Sequence, residues 1–384
     1  MIPRIAITGA GVVSALGCGK SENLAALKQC RCGISSVRYM ETKLRDCPVG
    51  EVPMSDSEIS ELLSIEKTLP RTALIDIMAL KEALEEAGLP LGDSSPLPLI
   101  SGTTVGGMDL SEKTYPEFSR YHDCGATTDA TAAYFGCFSY ATTISTACSS
   151  AANAIGFGAN LIRCGRAERV VAGGAESLSS YHLNGFNSLM ILDRENCKPF
   201  DLNRAGLNLG EGAGFVVLER EESALRRGAK PLAWLGGFGN ACDAFHQTAS
   251  SENGEGAFRA MLQALACAGL RPSDIDYVNA HGTGTPNNDA SESAALRRVF
   301  GDKMPPVSST KALTGHTTSA SGSIEAIFSI LALQHGFIPA QYAFSAADPA
   351  CITPTSGGEK PLRHVLCNAF GFGGNDSSLI LSHA

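Results

Sequence analysis

The chain contains no apolar run of about 18 residues or more, which argues against a membrane-spanning helix. It has no Cys-x-x-Cys pair. Cys30 and Cys32 come nearest, and no cluster of His or Asp supports them, so no metal site is indicated. The opening Met1-Ile-Pro-Arg-Ile-Ala-Ile reads as a short strand and lacks the apolar core of a secretory signal. No low-complexity tract or linker interrupts the sequence. Basic charge is also in deficit: 30 Lys and Arg face 39 Asp and Glu, a net −9. That argues against nucleic acid as the main partner, since phosphate binding needs Lys and Arg in excess on one face. An acidic partner would need a local basic patch. Together these absences describe a reduced, cytoplasmic protein whose 13 Cys are mostly buried thiols.

What is present is apolar and rich in glycine. Of 384 residues, 44% are hydrophobic and 18% charged, and 41 are Gly. Such a chain can bury a large core, as two domains or as one duplicated fold. Strand-like and helix-like stretches alternate. Ile5–Thr8 is an apolar run ended by Gly9-Ala-Gly11, and Ser21–Gln29 has helical spacing. Thr72–Ala87 is an amphipathic helix closed by Gly88. Leu97–Ser101, Val170–Gly173 and Phe215–Glu219 read as strands, whereas Asp93–Pro98 and Ala346–Glu359 read as surface loops. The alternation predicts an α/β fold.

The sequence also echoes itself. Ser101-Gly102-Thr103 corresponds to His281-Gly282-Thr283, Asp109 to Asp289, and Ser111-Glu112 to Ser291-Glu292, all at one spacing. A second echo joins Cys148–Gly165 to Ser319–Gly336, both small-residue helices ending in Gly. Two echoes in the same order suggest a duplicated fold whose halves meet near Glu222–Pro231.

Ile144-Ser-Thr-Ala-Cys148-Ser-Ser-Ala-Ala-Asn-Ala-Ile155 reads as a strand end turning into a helix, with Ser145 and Thr146 as candidate N-caps. Cys148 then sits at a helix N-terminus, where unpaired N–H groups and the helix dipole are expected to lower its pKa. An isolated Cys in such a helix reads first as a small buried hydrophobe. Two histidine segments change that reading. His281 follows the strand Asp276–Ala280 within His281-Gly-Thr-Gly-Thr-Pro286, and sites in α/β folds form at strand ends of this kind. His316 ends Val307-Ser-Ser-Thr-Lys311-Ala-Leu-Thr-Gly-His316 and precedes the helix Ser319–Gln334, the counterpart of the Cys148 helix. Lys311 and Glu325, if buried, would need each other. A thiolate can carry an acyl group, and two neutral imidazoles can donate to an enolate oxygen. The loop Asn368–Asp376 is too Gly-rich merely to reverse the chain, and one of its N–H groups could complete an oxyanion hole with that of Cys148. It is no dinucleotide fingerprint, because a strand follows it. Gly206–Gly214 is no phosphate loop, because it lacks Gly-Lys-Ser/Thr.

These motifs resemble the β-ketoacyl-[acyl-carrier-protein] synthases, synthase II type, of the thiolase-like superfamily. The resemblance runs from Ile5-Ala-Ile-Thr-Gly-Ala-Gly-Val-Val-Ser-Ala-Leu-Gly17 through Thr146-Ala-Cys-Ser-Ser150, Ala172-Gly-Gly-Ala-Glu-Ser177, Pro199-Phe-Asp201 and Gly210-Glu-Gly-Ala-Gly214. It continues in Ala280-His-Gly-Thr-Gly-Thr-Pro286, Ser309-Thr-Lys-Ala-Leu-Thr-Gly-His316 and Phe370-Gly-Phe-Gly-Gly374. It implies a five-layered α-β-α-β-α sandwich of two duplicated halves, 1–225 with the nucleophile and 226–384 with both histidines. It implies Cys148 as nucleophile, His281 and His316 as the decarboxylating pair, and Lys311 with Glu325 as their support. Phe372 matches a gating residue whose N–H joins that of Cys148 in the oxyanion hole. Thr283, Thr285 and Thr248 match contacts to a phosphopantetheine arm. No metal and no cofactor of the protein's own is implied, because substrates ride on acyl carrier protein. The assembly implied is a homodimer, with a heterodimer of related subunits as the alternative.

The chain departs from the family at several places. Ser111–Thr143 lacks the Pro- and Asn-rich segment usual before the nucleophile. Gly371-Phe-Gly-Gly-Asn-Asp376 replaces Gly-Phe-Gly-Gly-Thr-Asn, Arg204-Ala-Gly206 replaces Arg-Asp-Gly, and Thr317-Thr318-Ser319 follows His316. Compact members of this kind resemble synthases of aryl-polyene pathways. Lys67, Arg71, Arg163, Arg166 and Arg204 are candidates for the basic patch that would meet an acidic carrier. Two other readings compete: a non-catalytic chain-length-factor-like subunit, which usually lacks the Cys, and a thiolase, which deprotonates with a second Cys.

Overall fold

The computed structural model describes residues 3–89 and 96–384. The expected loop Asp93–Pro98 lies outside them as far as residue 95. The strand at the N-terminus runs from Ile5 to Ser14 and does not stop at Gly9. The reason is packing. A Cβ at Gly9 would lie 2.2 Å from the Ala83 carbonyl oxygen, and one at Gly11 would lie 2.0 Å from that of Ala79. Both glycines let the helix Arg71–Ala87 press on the strand, so they mark a crossing and not a turn. Gly88 closes that helix in the left-handed region, as expected.

The strand Ala233–Cys242 repeats this contact. A Cβ at Gly237 would lie 2.2 Å from Ala264 O, and one at Gly239 would lie 2.0 Å from Ala260 O, both on the helix Glu255–Ala268.

The strand order is a mirror about the centre. Outward from Ile5–Ser14 lie Gly212–Arg220, Arg169–Glu176, Pro98–Gly102 and Tyr140–Ile144. Outward from Ala233–Cys242 lie Asn375–His383, His364–Gly371, Tyr277–Asn279 and Val307–Ser308. On each side the first two pairings are antiparallel and the next two parallel. The two sides join where Ile5, Ala6 and Ile7 pair with Leu235, Trp234 and Ala233. The echoed segments Ser101–Thr103 and His281–Thr283 both fall at the end of the fourth strand from the centre.

The helices Ser150–Arg163 and Ser321–His335 touch each other and lie between the two sides of the sheet. A Cβ at Gly322 would meet Ala152 at 2.7 Å, so small residues set their approach. Three large apolar cores result among the described residues. One surrounds the central helices, one lies under Arg71–Ala87, and one lies under Glu255–Ala268 and the helix Pro286–Phe300. The order is helix, sheet, helices, sheet, helix, the five layers expected.

Two further expectations need correction. Ala346–Glu359 is irregular but not merely superficial. Cys351 and Ile352 are buried in the third core, and the Thr355 N–H donates to Val307 O at 2.8 Å. The Gly-rich loop Asn368–Asp376 is largely strand: His364–Gly371 and Asn375–His383 form a hairpin turning at Phe372-Gly373-Gly374.

Candidate active site

Cys148 lies ahead of its helix, which begins at Ser150. Ser145 and Thr146 are therefore not its caps. Ser149 holds the N-cap position without a side-chain capping bond, its Oγ donating instead to Thr146 O at 2.8 Å, and Ser150 Oγ accepts the Thr146 N–H at 2.9 Å and donates to Ala147 O at 2.6 Å. The turn before the helix holds Ala147 at φ 52°, a left-handed conformation uncommon for alanine. This kink puts the next residue, Cys148, into the floor of a cavity of about 330 Å³.

The hairpin Phe370–Gly374 lies on this turn. A Cβ at Gly371 would lie 2.9 Å from Thr146 O and 3.1 Å from Cys148 N, so glycine is needed for the approach. The main-chain N–H of Phe372 then points at the Cys148 thiol. The Phe372 ring stacks on Phe186 with centroids 6.0 Å apart. Asn375 Nδ2 donates to Phe372 O at 3.2 Å and holds the turn.

The histidines reach the same cavity from the other half. His316 Nε2 is 3.1 Å from Cys148 Sγ, and the His281 ring meets His316 edge-on with centroids 5.2 Å apart. His316 is fixed by its main chain: its N–H donates to Asn208 O at 2.7 Å, and its carbonyl accepts from Gly210 at 2.9 Å. His281 is fixed by Glu292, whose carboxylate accepts the N–H groups of His281 and Gly282 at 2.9 and 2.8 Å. Asn368 Nδ2 donates to the same carboxylate at 3.0 Å. Glu292 is a positioning residue that sequence reasoning noticed only as part of an echo. Its signal was its place, about two turns into the helix after the His281 loop, where a carboxylate can turn back to unpaired loop N–H groups.

Lys311 and Glu325 are both buried, and Nζ donates to Oε1 at 2.5 Å. Ser321 Oγ also donates to Glu325, at 3.2 Å. The expected pairing is present, on a lysine that starts the short helix Lys311–Thr314 and does not lie in an exposed turn.

Electrostatics correct one expectation. Burial pushes the Cys148 thiol up to about 12, against the Lys311 charge and the Phe372 N–H, which favour the thiolate. Desolvation outweighs them, so the resting group is a thiol within reach of His316. Burial also holds His281 and His316 well below the ordinary imidazole range, and the positive charge of Lys311 adds to this. Both rings are therefore neutral, with one donor and one acceptor nitrogen each.

Thr283 and Thr285 line the cavity with hydroxyls 2.9 Å apart, and Thr248 lines it from the segment after Ala233–Cys242. A second chamber of about 480 Å³ shares Cys148, Phe186, Leu189 and Phe372 with the first. The basic patch does not assemble as expected. Arg71 is buried against Glu211 and Asp56, each at 2.6 Å, and Arg204 is tied to Asp348 with little exposure. Arg163 and Arg166 lie at the far end of the central helix, about 21 Å of axis from its start. Lys67 is exposed.

Known proteins place this geometry. Residues 3–224 match the family described as Beta-ketoacyl synthase, N-terminal domain, and residues 232–345 match Beta-ketoacyl synthase, C-terminal domain. Nodulation protein E of Rhizobium meliloti strain 1021 is 34% identical, with 98% of each chain covered. The 3-oxoacyl-[acyl-carrier-protein] synthase 1 of Haemophilus influenzae is 33% identical, also over 98% of each. Among solved structures, the ishigamide ketosynthase/chain length factor superposes with a TM-score of 0.91 at 32% identity, over the full length of both chains. The chain belongs to the β-ketoacyl synthase family of condensing enzymes and has its thiolase-like fold.

Proposed function

We propose that this protein catalyses decarboxylative Claisen condensation between malonyl-acyl-carrier-protein and an acyl group held as a thioester on Cys148, giving 3-oxoacyl-acyl-carrier-protein. The observation that carries the proposal is one thiol and two neutral imidazoles facing a single cavity.

In the first half-reaction, Cys148 Sγ attacks the incoming thioester carbonyl. Its proton passes to His316 Nε2 and then to the departing phosphopantetheine sulfur, leaving both histidines neutral. In the second, the malonyl thioester loses carbon dioxide. N–H groups of His281 and His316 hold the enolate oxygen, and the enolate carbon attacks the Cys148 thioester. The N–H groups of Cys148 and Phe372 receive the oxyanion, and collapse expels Cys148 as a thiolate, which takes up a proton from solvent to restore the resting thiol. Lys311 and Glu325 keep the histidine surroundings rigid and the charge balanced. Thr283, Thr285 and Thr248 bind the phosphopantetheine arm along the cavity. The reaction uses no metal and no cofactor of the protein's own.

The partner that delivers both substrates is an acyl carrier protein, and the product belongs to fatty-acid or polyketide assembly, aryl-polyenes included. We assign the protein as a homodimer in the cytoplasm. The alternative is a heterodimer with a chain-length-factor-like subunit, and sedimentation of the purified chain separates the two. Retention of Cys148 and both histidines favours the catalytic role over that of a silent partner. The deciding experiment incubates the protein with acyl-carrier thioester and reads the mass of Cys148. An acyl adduct that malonyl-carrier then discharges as 3-oxoacyl product is expected. A protein that never takes up an acyl group is a silent partner.

A further inference from the structure

A carboxylate lies behind the wall of the second chamber and has no part in this reaction. Glu176 ends the strand Arg169–Glu176 and is fully buried. Two distant segments donate to its side chain. From the loop after Pro98–Gly102 come the Thr103 hydroxyl at 2.7 Å, the Thr104 N–H at 2.9 Å, the Thr104 hydroxyl and the Val105 N–H at 3.0 Å. From the turn after His316 come the Ser319 hydroxyl at 2.6 Å and the Thr318 hydroxyl at 3.5 Å. A carboxylate only accepts, so it can hold a converging set of N–H and O–H donors. A carboxamide in its place would turn an NH₂ group toward some of them.

The segments tied in this way are walls of the chamber. Thr104, Val105 and Thr318 line it together with Ala147 and Cys148. One buried side chain therefore joins two walls that the sequence keeps far apart. The turn it holds is also strained. Thr318 sits at φ 43°, a left-handed conformation that a β-branched residue rarely adopts. Such a residue persists only where its surroundings over-determine it. The hydroxyls of Thr318 and Ser319 on Glu176 supply that constraint. Because Cys148 and Ala147 share the chamber, a chain attached to Cys148 extends between these walls.

We propose that Glu176 is a positioning residue that fixes the separation of the second chamber's walls and so sets the longest acyl chain that Cys148 takes up. This deepens the reading of Cys148 as acyl carrier and rests on it. With the carboxylate in place, the Thr104–Val105 wall and the Thr318 wall hold one spacing, and a chain that outgrows the chamber meets them. With the tie cut, the walls part and longer chains enter.

The test measures acyl transfer to Cys148 from a series of saturated acyl-carrier thioesters that lengthen from butanoyl to hexadecanoyl, with intact-protein mass spectrometry giving the rates. Wild type is expected to show a step, a fall of roughly tenfold or more from one chain to the next longer one. Glu176→Gln is expected to move that step to longer chains. Thr318→Val combined with Ser319→Ala keeps the carboxylate, removes two of its donors, and is expected to move the step in the same direction. A merely structural carboxylate would slow every chain alike and leave the step in place. A wild type without a step overturns the proposal, and so do variants whose step stays where it was or moves to shorter chains. Where Glu176→Gln fails to fold, the hydroxyl double variant decides. If no thioester labels Cys148, the acyl-carrier reading itself fails, and that result appears before any profile is measured.

Discussion

The two sides of the sheet share one blueprint and diverge only where it ends in chemistry. Both have the same succession of pairings, both press a glycine pair against an outer helix, and both send a small-residue helix to the centre. Cys148 stands just ahead of the first central helix, and His316 stands ahead of the second. At the end of the fourth strand one side has Ser101 and the other His281. Carboxylates hold the loops after these strands, but from different places. Glu176, on a strand, accepts the N–H groups of Thr104 and Val105, whereas Glu292, on a helix, accepts those of His281 and Gly282. The two sides offer equivalent sockets that are filled differently, Cys148 in one and His316 in the other.

The sharpest way to break this division of labour is at the residues that differ. Cys148→Ala is expected to lower condensation by about 10⁴-fold or more while malonyl decarboxylation persists, measured as product formation against carbon dioxide release. His281→Ala and His316→Ala are expected to lower decarboxylation itself by about 10²–10³-fold each. If the alanine variant at 148 condenses at full rate, the nucleophile lies elsewhere.

Next in size is the buried pair on the histidine side. Lys311→Met leaves Glu325 buried without its ion partner, and is expected to cost about 3–5 kcal/mol in denaturant unfolding. Lys311→Met with Glu325→Gln is expected to recover much of that loss. Without such recovery, the lysine acts through packing alone.

The shared part of the blueprint predicts a matched pair. Gly11→Ala and Gly239→Ala each place a Cβ 2.0 Å from a helix carbonyl oxygen. Each is expected to destabilise by about 1–3 kcal/mol, and the two losses to agree within about 1 kcal/mol. A large inequality would show that the two crossings are not equivalent under load.

The smallest effect concerns Asp376, beside the hairpin turn. Burial, with Asp243 and Glu292 nearby, pushes its carboxyl up to about 8. The unfolded chain ionises this group near pH 4 and the folded one only near pH 8, so its cost to stability grows across that interval. Asp376→Asn is expected to raise the unfolding free energy by about 1–2 kcal/mol above pH 8 and by little at pH 4. Equal gains at both values would point to a cause other than ionisation.

Much of this was legible in the sequence because it is written in local patterns. The alternation of elements, the Gly88 helix stop, the duplication and the Cys–His–His set all follow from spacing and residue type. What was misread depends on contacts between distant segments. Gly9 and Gly11 look like a turn until Ala79 and Ala83 are seen against them. Cys148 reads as a dipole-activated thiolate, but burial reverses the balance. Arg71 and Arg204 look like docking charges until Glu211 and Asp348 are seen to hold them. Glu176 drew notice only as part of a motif, because its donors come from segments far away in the chain.

The pairing of Ile5–Ile7 with Ala233–Leu235 bears on how the molecule is made. The strand Ile5–Ser14 lies in the middle of the sheet and is made before both of its neighbours. Its inner edge can be closed once Gly212–Arg220 emerges, yet its other edge waits for Ala233–Cys242. Until then the nascent amino-terminal half carries an open, apolar strand edge of the kind that recruits chaperones or pairs with another chain. Completion of the second half removes that edge, so the duplication that built the catalytic pocket also protects the newborn protein from aggregation.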